Sequence, residues 1–189
     1  MTVTPAAIGC RSHSGWAVMV AVAGSPTAPR LLARQRVGLL EEGLPSQPYH
    51  AAAEAGLDLE EGARLIAQVE VVAARCAEAG LRELTGRVSG AGCRVSGAAI
   101  VANDRSLPAE LGRILGAHPL LHAAEGDLYE QALIEGAARA GLSVLRIAPG
   151  LVPLFAGVQT AGRTFGPPWQ KDHKLAASAA MYLLEGART

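Results

Sequence analysis

The sequence predicts an α/β fold: a mixed sheet, antiparallel on one side and parallel on the other, flanked by helices as three layers. Three observations predict it. The first forty residues show strand patterning broken only by short turns. Two later apolar runs, "CRVSGAAIVAND" and "LSVLRIAPG", each follow a helical segment. The chain closes on an amphipathic helix, "KDHKLAASAAMYLLEG". Half of the residues are hydrophobic and 18% are charged, which suits one packed domain over residues 1–189 and not a disordered chain.

The elements follow in order. "AAIGCRSHSGWAVMVAVAG", a "SPTAP" turn and "RLLARQRVGLL" read as an antiparallel meander, with Val18, Val20 and Val22 alternating onto one face. "EEGLPSQPYHAAAEAG" reads as a connection broken by proline and glycine. A helix opens at Asp58, with Glu61 completing a capping box, and is expected to end near Gly80. "CRVSGAAIVAND" then reads as a strand buried on both faces. A short helix, a long helix from Pro119 and a second buried strand, "LSVLRIAPG", come next. "LVPLFAGVQTAGRTFGPP" reads as a long loop before the last helix. Strands joined through helices must run parallel, so the meander forms one side of the sheet and the later strands the other.

Composition narrows the function. Lys plus Arg equals Asp plus Glu, 17 against 17, which argues against a protein gripping nucleic acid through a general basic excess. Cys10, Cys76 and Cys93 are odd in number and lack metal-type spacing, which fits inert thiols in a reducing cytoplasm. "WAVMVAVAG" has the apolar look of a signal-peptide core, but it is short and its flank is wrong, so it is expected to be a buried strand. No longer apolar run predicts a membrane span.

"IGCRSHSGWAVMV", "AEGDLYEQALIEGAARAGLSVLRIAPG" and "KDHKLAASAAMYLL" together resemble the opening strand, the helix-plus-strand and the terminal helix of ribonuclease H-like proteins. Within that superfold the resemblance is to the Holliday-junction resolvases. It implies two divalent ions, Mg²⁺ or Mn²⁺, held by carboxylates of the first strand, the fourth strand and the terminal helix, with phosphodiester hydrolysis as the activity. Asp172 matches the terminal-helix acid, and Asp104 stands near the fourth-strand acid if that strand runs one residue further. The first strand departs from the pattern. Cys10, Arg11 and Ser12 stand where the aspartate belongs, and an arginine there repels a cation.

The polar residues themselves point to a site at the carboxyl edge of the sheet, where α/β folds place ligands. Asp172 shares a helical stripe with Ala176, Ala179 and Leu183, so it is aimed inward; its position in a first turn also suits the helix dipole. Glu125 shares a row with Leu121 and Leu128 and neighbours His122. An acid so placed is paired, hydrogen-bonded or protonated. It is either a metal ligand or general base beside His122, or one half of an ion pair with Arg11 or Lys174. Four of the five histidines, His13, His118, His122 and His173, fall in the motif-bearing stretches.

The sequence thus supports three readings. The first is a divergent nuclease or phosphoesterase acting on structured or single-stranded nucleic acid. Asp104, Glu125 and Asp172 would be its metal ligands, with Glu125, Asp172 and either His122 or His173 carrying the catalysis. The second is a non-catalytic scaffold or homodimer whose metal site is lost. The third is a small-molecule or nucleotide binder using the same cleft.

Overall fold

The computed structural model describes residues 3–187, apart from the side chains at 163 and 164. Strand β1 (Thr4–His13) turns tightly at Ser14 and Gly15 into β2 (Trp16–Gly24), and β3 (Pro29–Gly38) pairs with the far edge of β2. Both pairings are antiparallel. Strand β4 (Cys93–Val101) then joins β1 in parallel, and β5 (Ser143–Ile147) joins β4 in parallel. The order is β3-β2-β1-β4-β5, which puts the first strand at the centre of the sheet. This is the mixed sheet expected from the sequence.

Both faces of the sheet are covered. On one, β1 and β2 offer Ile8, Cys10, Met19 and Ala21 to the two long helices α2 (Leu59–Gly90) and α4 (His118–Arg139). On the other, Ala7, Val18, Val20 and Val22 meet Val158, Ala176, Ala180 and Met181 of the last two helices, α5 (Ala156–Phe165) and α6 (Lys171–Gly186). Strand β2 is therefore apolar at every position because it is covered twice. The shorter helices are α1 (Pro48–Glu54) and α3 (Leu111–Leu115). Among the described residues, no helix is long and apolar enough to cross a membrane.

Small residues let these layers approach closely. A Cβ at Gly9 would lie 1.7 Å from the carbonyl oxygen of Ala176, so only glycine lets α6 cross β1 there. This crossing fixes the start of α6 beside the end of β1.

Four expectations are corrected. Helix α2 runs ten residues past Gly80, because Leu81, Leu84 and Val88 continue its buried stripe; Gly80 is an interior contact against Val37. Helix α1 and helix α5 both form in stretches read as loops. Strand β4 ends at Val101, so Asp104 lies beyond it. Strand β5 is the sheet edge, with only Ile147 buried, so its apolar run is not covered on both faces.

Candidate functional site

The end of β1 carries the first cluster. His13 Nε2 lies 3.1 Å from Asp172 Oδ2 in the first turn of α6. The inward-aimed acid thus has a partner, and both side chains are about one-third exposed. The His13 ring stacks on Trp16, with centroids 4.1 Å apart and planes 7° from parallel, and the guanidinium of Arg36 covers the Trp16 ring at 3.9 Å. A cation over an indole face is attracted by its quadrupole, so this column is held at both ends. Arg34 donates to the carbonyls of Gly166, Pro167 and Pro168, tying the loop before α6 to β3.

The second cluster lies between the ends of β1 and β4. Glu130 of α4 is 2% exposed. Its Oε2 accepts from Arg105 Nη1 at 2.5 Å and from the Asn103 backbone at 3.1 Å; its Oε1 accepts from Asn103 Nδ2 at 3.2 Å. Arg11 Nη1 lies 3.9 Å from the same Oε1 and donates to the Val101 carbonyl at 3.3 Å. Arg105 reaches Glu130 across Gly126, where a Cβ would stand 2.6 Å from its guanidinium. Arg146 extends the group by donating to the Asn103 carbonyl at 2.5 Å. One buried carboxylate therefore holds two arginines.

The third cluster sits nearer the start of α4. Glu125 Oε1 accepts from the backbone N–H groups of Tyr49 and His50, at 2.8 and 3.1 Å, and lies 3.3 Å from His50 Nδ1. Helix α1 has Gln47 at its N-cap with no side-chain cap bond, and Pro48 has no N–H to offer. Glu125 caps that helix from outside it, satisfying donors its own sequence leaves open. Burial pushes the Glu125 carboxyl up from its ordinary range, and the hydrogen bonds from His50 and Tyr49 pull the other way. Beside it, His118 Nε2 and His122 Nε2 are 3.0 Å apart, and the His50 ring centroid is 4.6 Å from that of His122.

No family model matches the sequence, and no curated protein matches it. The structure does have a counterpart. It is similar to Thermus thermophilus RuvC solved in complex with a Holliday junction substrate, with a TM-score of 0.55 and 16% identity over 97% of this chain and 95% of that one. The two share a fold, which is ribonuclease H-like.

In such a fold the central strand, the β4 end and the start of α6 are where the sequence resemblance puts metal-binding acids. The donor set found there does not fit a pair of hard divalent ions. Cys10 is fully buried, and burial pushes its thiol up to about 12. Arg11 already occupies the strand end, and Glu130 is committed to arginine. Asp104 is exposed in the loop after β4, beside Arg146 and Ala148. Among the described residues, the group of three or more His, Cys, Asp or Glu with ligand atoms within 4.8 Å of one another is His50, His118 and His122. Asp104, Glu125 and Asp172 are not gathered in this way.

The remaining candidates are also placed. His173 does not reach the β1 end: its Nδ1 accepts from the Gln170 backbone at 3.3 Å and its ring faces Trp169. Burial, then the charge of Arg34, holds its pKa below the ordinary value, while Asp172 raises it. His122 neighbours His118 and His50. Arg11 pairs with Glu130 and not with Glu125. Lys174 and Lys171 line a cavity of about 660 Å³ with Val152, Leu154, Gln159 and Leu175. Sequence reasoning missed Glu130, although it shares a helical row with Gly126, Leu133 and Ala137, the same signal that exposed Glu125.

Proposed function

We propose that this chain is a ribonuclease H-like domain that binds structured nucleic acid without cutting it, its two-metal centre replaced by an ion network of its own. The carrying observation is Arg11. Its guanidinium sits at the end of the central strand, 3.3 Å from the Val101 carbonyl and 3.9 Å from buried Glu130. A fixed organic cation there supplies the positive charge that would otherwise attract divalent ions, and it supplies no Lewis acid and no activated water.

The rim left behind is suited to phosphate. Arg11 and Arg105 share the single charge of Glu130, and Arg146 adds another guanidinium beside them. Guanidinium groups match phosphate oxygens in pairs. At the β1 end Trp16 is covered by His13 and Arg36, so the outer face of the His13 ring is the aromatic surface for an unpaired base. Overall neutrality keeps this local and predicts modest affinity with a shallow dependence on salt. RuvC bound to a junction supports a branched DNA as the first ligand to try.

The test is a four-way DNA junction incubated with the full chain and Mg²⁺ or Mn²⁺. The reading expects a retarded complex, weakened about tenfold in Arg146→Ala, and intact strands. Metal-dependent cleavage that disappears in Asp172→Asn overturns it. The cavity lined by Lys171 and Lys174 favours a second reading, a small anionic ligand such as a nucleotide. In that case a nucleotide raises the melting temperature and the junction does not bind.

A further inference from the structure

The histidines on α1 and α4 serve no purpose in the nucleic-acid reading, yet they are arranged with care. His118 and His122 are four apart, which stacks them on one face of α4. His50 comes from a different helix and is only 9% exposed. Ligand atoms of all three lie within 4.8 Å of one another.

For a neutral His50 ring the tautomer follows from its neighbour. Glu125 Oε1 accepts two backbone N–H groups, so it is an acceptor oxygen, and His50 Nδ1 beside it must be the donor. The proton on Nδ1 leaves a lone pair on Nε2. That atom is buried and has no hydrogen-bond partner among the described residues. A buried nitrogen without a partner is costly, and native structures seldom leave one without a reason.

We propose that His50, His118 and His122 form a three-imidazole site for a divalent transition metal, zinc by preference, joining α1 to α4. Three neutral imidazoles suit zinc, and tetrahedral ligation at ~2.0–2.1 Å from the metal separates ligand nitrogens by roughly 3.4 Å. The 3.0 Å between the His118 and His122 nitrogens needs only a small rotation to reach that value. Glu125 positions His50 through Nδ1, the carboxylate–histidine–metal arrangement that fixes tautomer and ring orientation. His118 and His122 are exposed, so a fourth coordination position faces solvent.

The experiment uses the full chain stripped with a chelator, then titrated with Zn²⁺ by calorimetry and with Co²⁺ by visible absorption. One ion per chain is expected, with micromolar or tighter affinity and the ligand-field bands of four-coordinate cobalt. His122→Ala and His50→Gln should each weaken binding at least 100-fold. Glu125→Gln should weaken it about 10- to 100-fold while far-ultraviolet dichroism stays unchanged. His13→Ala and His173→Ala should leave it as it was. Failure to bind below millimolar Zn²⁺, or equal affinity in a His118→Ala/His122→Ala double variant, overturns the site. Neither result touches the rim reading, which rests on Arg11 and Glu130.

Discussion

Glu125 and Glu130 are both buried, both on α4 and separated by little more than one helical turn, yet they have opposite surroundings. Glu130 is held by two arginines, an amide and a backbone N–H, so every oxygen has a partner. Glu125 is held by the open end of a short helix and by an imidazole, and its second oxygen has no partner among the described residues. The first arrangement is closed: cations built into the chain have filled the space. The second is open, with an imidazole lone pair aimed at two others. A buried acid therefore identifies a functional position only together with what neutralises it. At the β1 and β4 ends the buried carboxylate is closed by arginines, and the gathered imidazoles lie elsewhere.

Four changes sharpen this comparison, in falling order of effect. Arg105→Met removes the shorter of the two ion pairs and leaves Glu130 with a distant guanidinium. Urea unfolding should show a loss of about 3 kcal/mol, the scale of a broken buried pair. Glu125→Ala strips the Tyr49 and His50 N–H groups of their acceptor and should cost about 2 kcal/mol by the same measurement. It should also increase amide exchange across α1 while leaving the β1 hydrogen bonds protected. Asp172→Asn touches a pair with His13 that is about one-third exposed, and should change stability by less than about 1 kcal/mol. A larger loss would mean that the first turn of α6 depends on that charge.

The smallest effect is one of pH. His173 has a depressed pKa, first through burial and then through Arg34, so the folded protein binds its proton less readily than the unfolded chain does. The stability this contributes is present above its ordinary value of 6.5 and is lost as pH falls through the lower, folded value. Melting temperature should therefore decline more steeply on acidification in the native protein than in His173→Gln.

Much of this was legible in the sequence, for identifiable reasons. Period-two patterning and the "SPTAP" turn gave the meander, and the Leu121–Glu125–Leu128 row gave the inward direction of Glu125. What Glu125 faces was not legible, because α1 was hidden behind Pro45, Pro48 and Gly56 and read as a loop. Helix α5 was masked in the same way by Gly157, Gly162 and the prolines around it. Arg105 lies on an irregular segment where no periodicity says which way a side chain turns. Local order carries direction; partners from distant segments appear only once the chain is folded.

The central claim is that the carboxyl end of β1 no longer holds metal. Electron paramagnetic resonance of Mn²⁺ added to the full chain tests it most directly, with His118→Ala/His122→Ala as the background so that the imidazole site is silent. The account predicts the full signal of free aqueous Mn²⁺ at stoichiometric addition. Loss of that signal in the double variant, restored when Asp172→Asn is added, would contradict it.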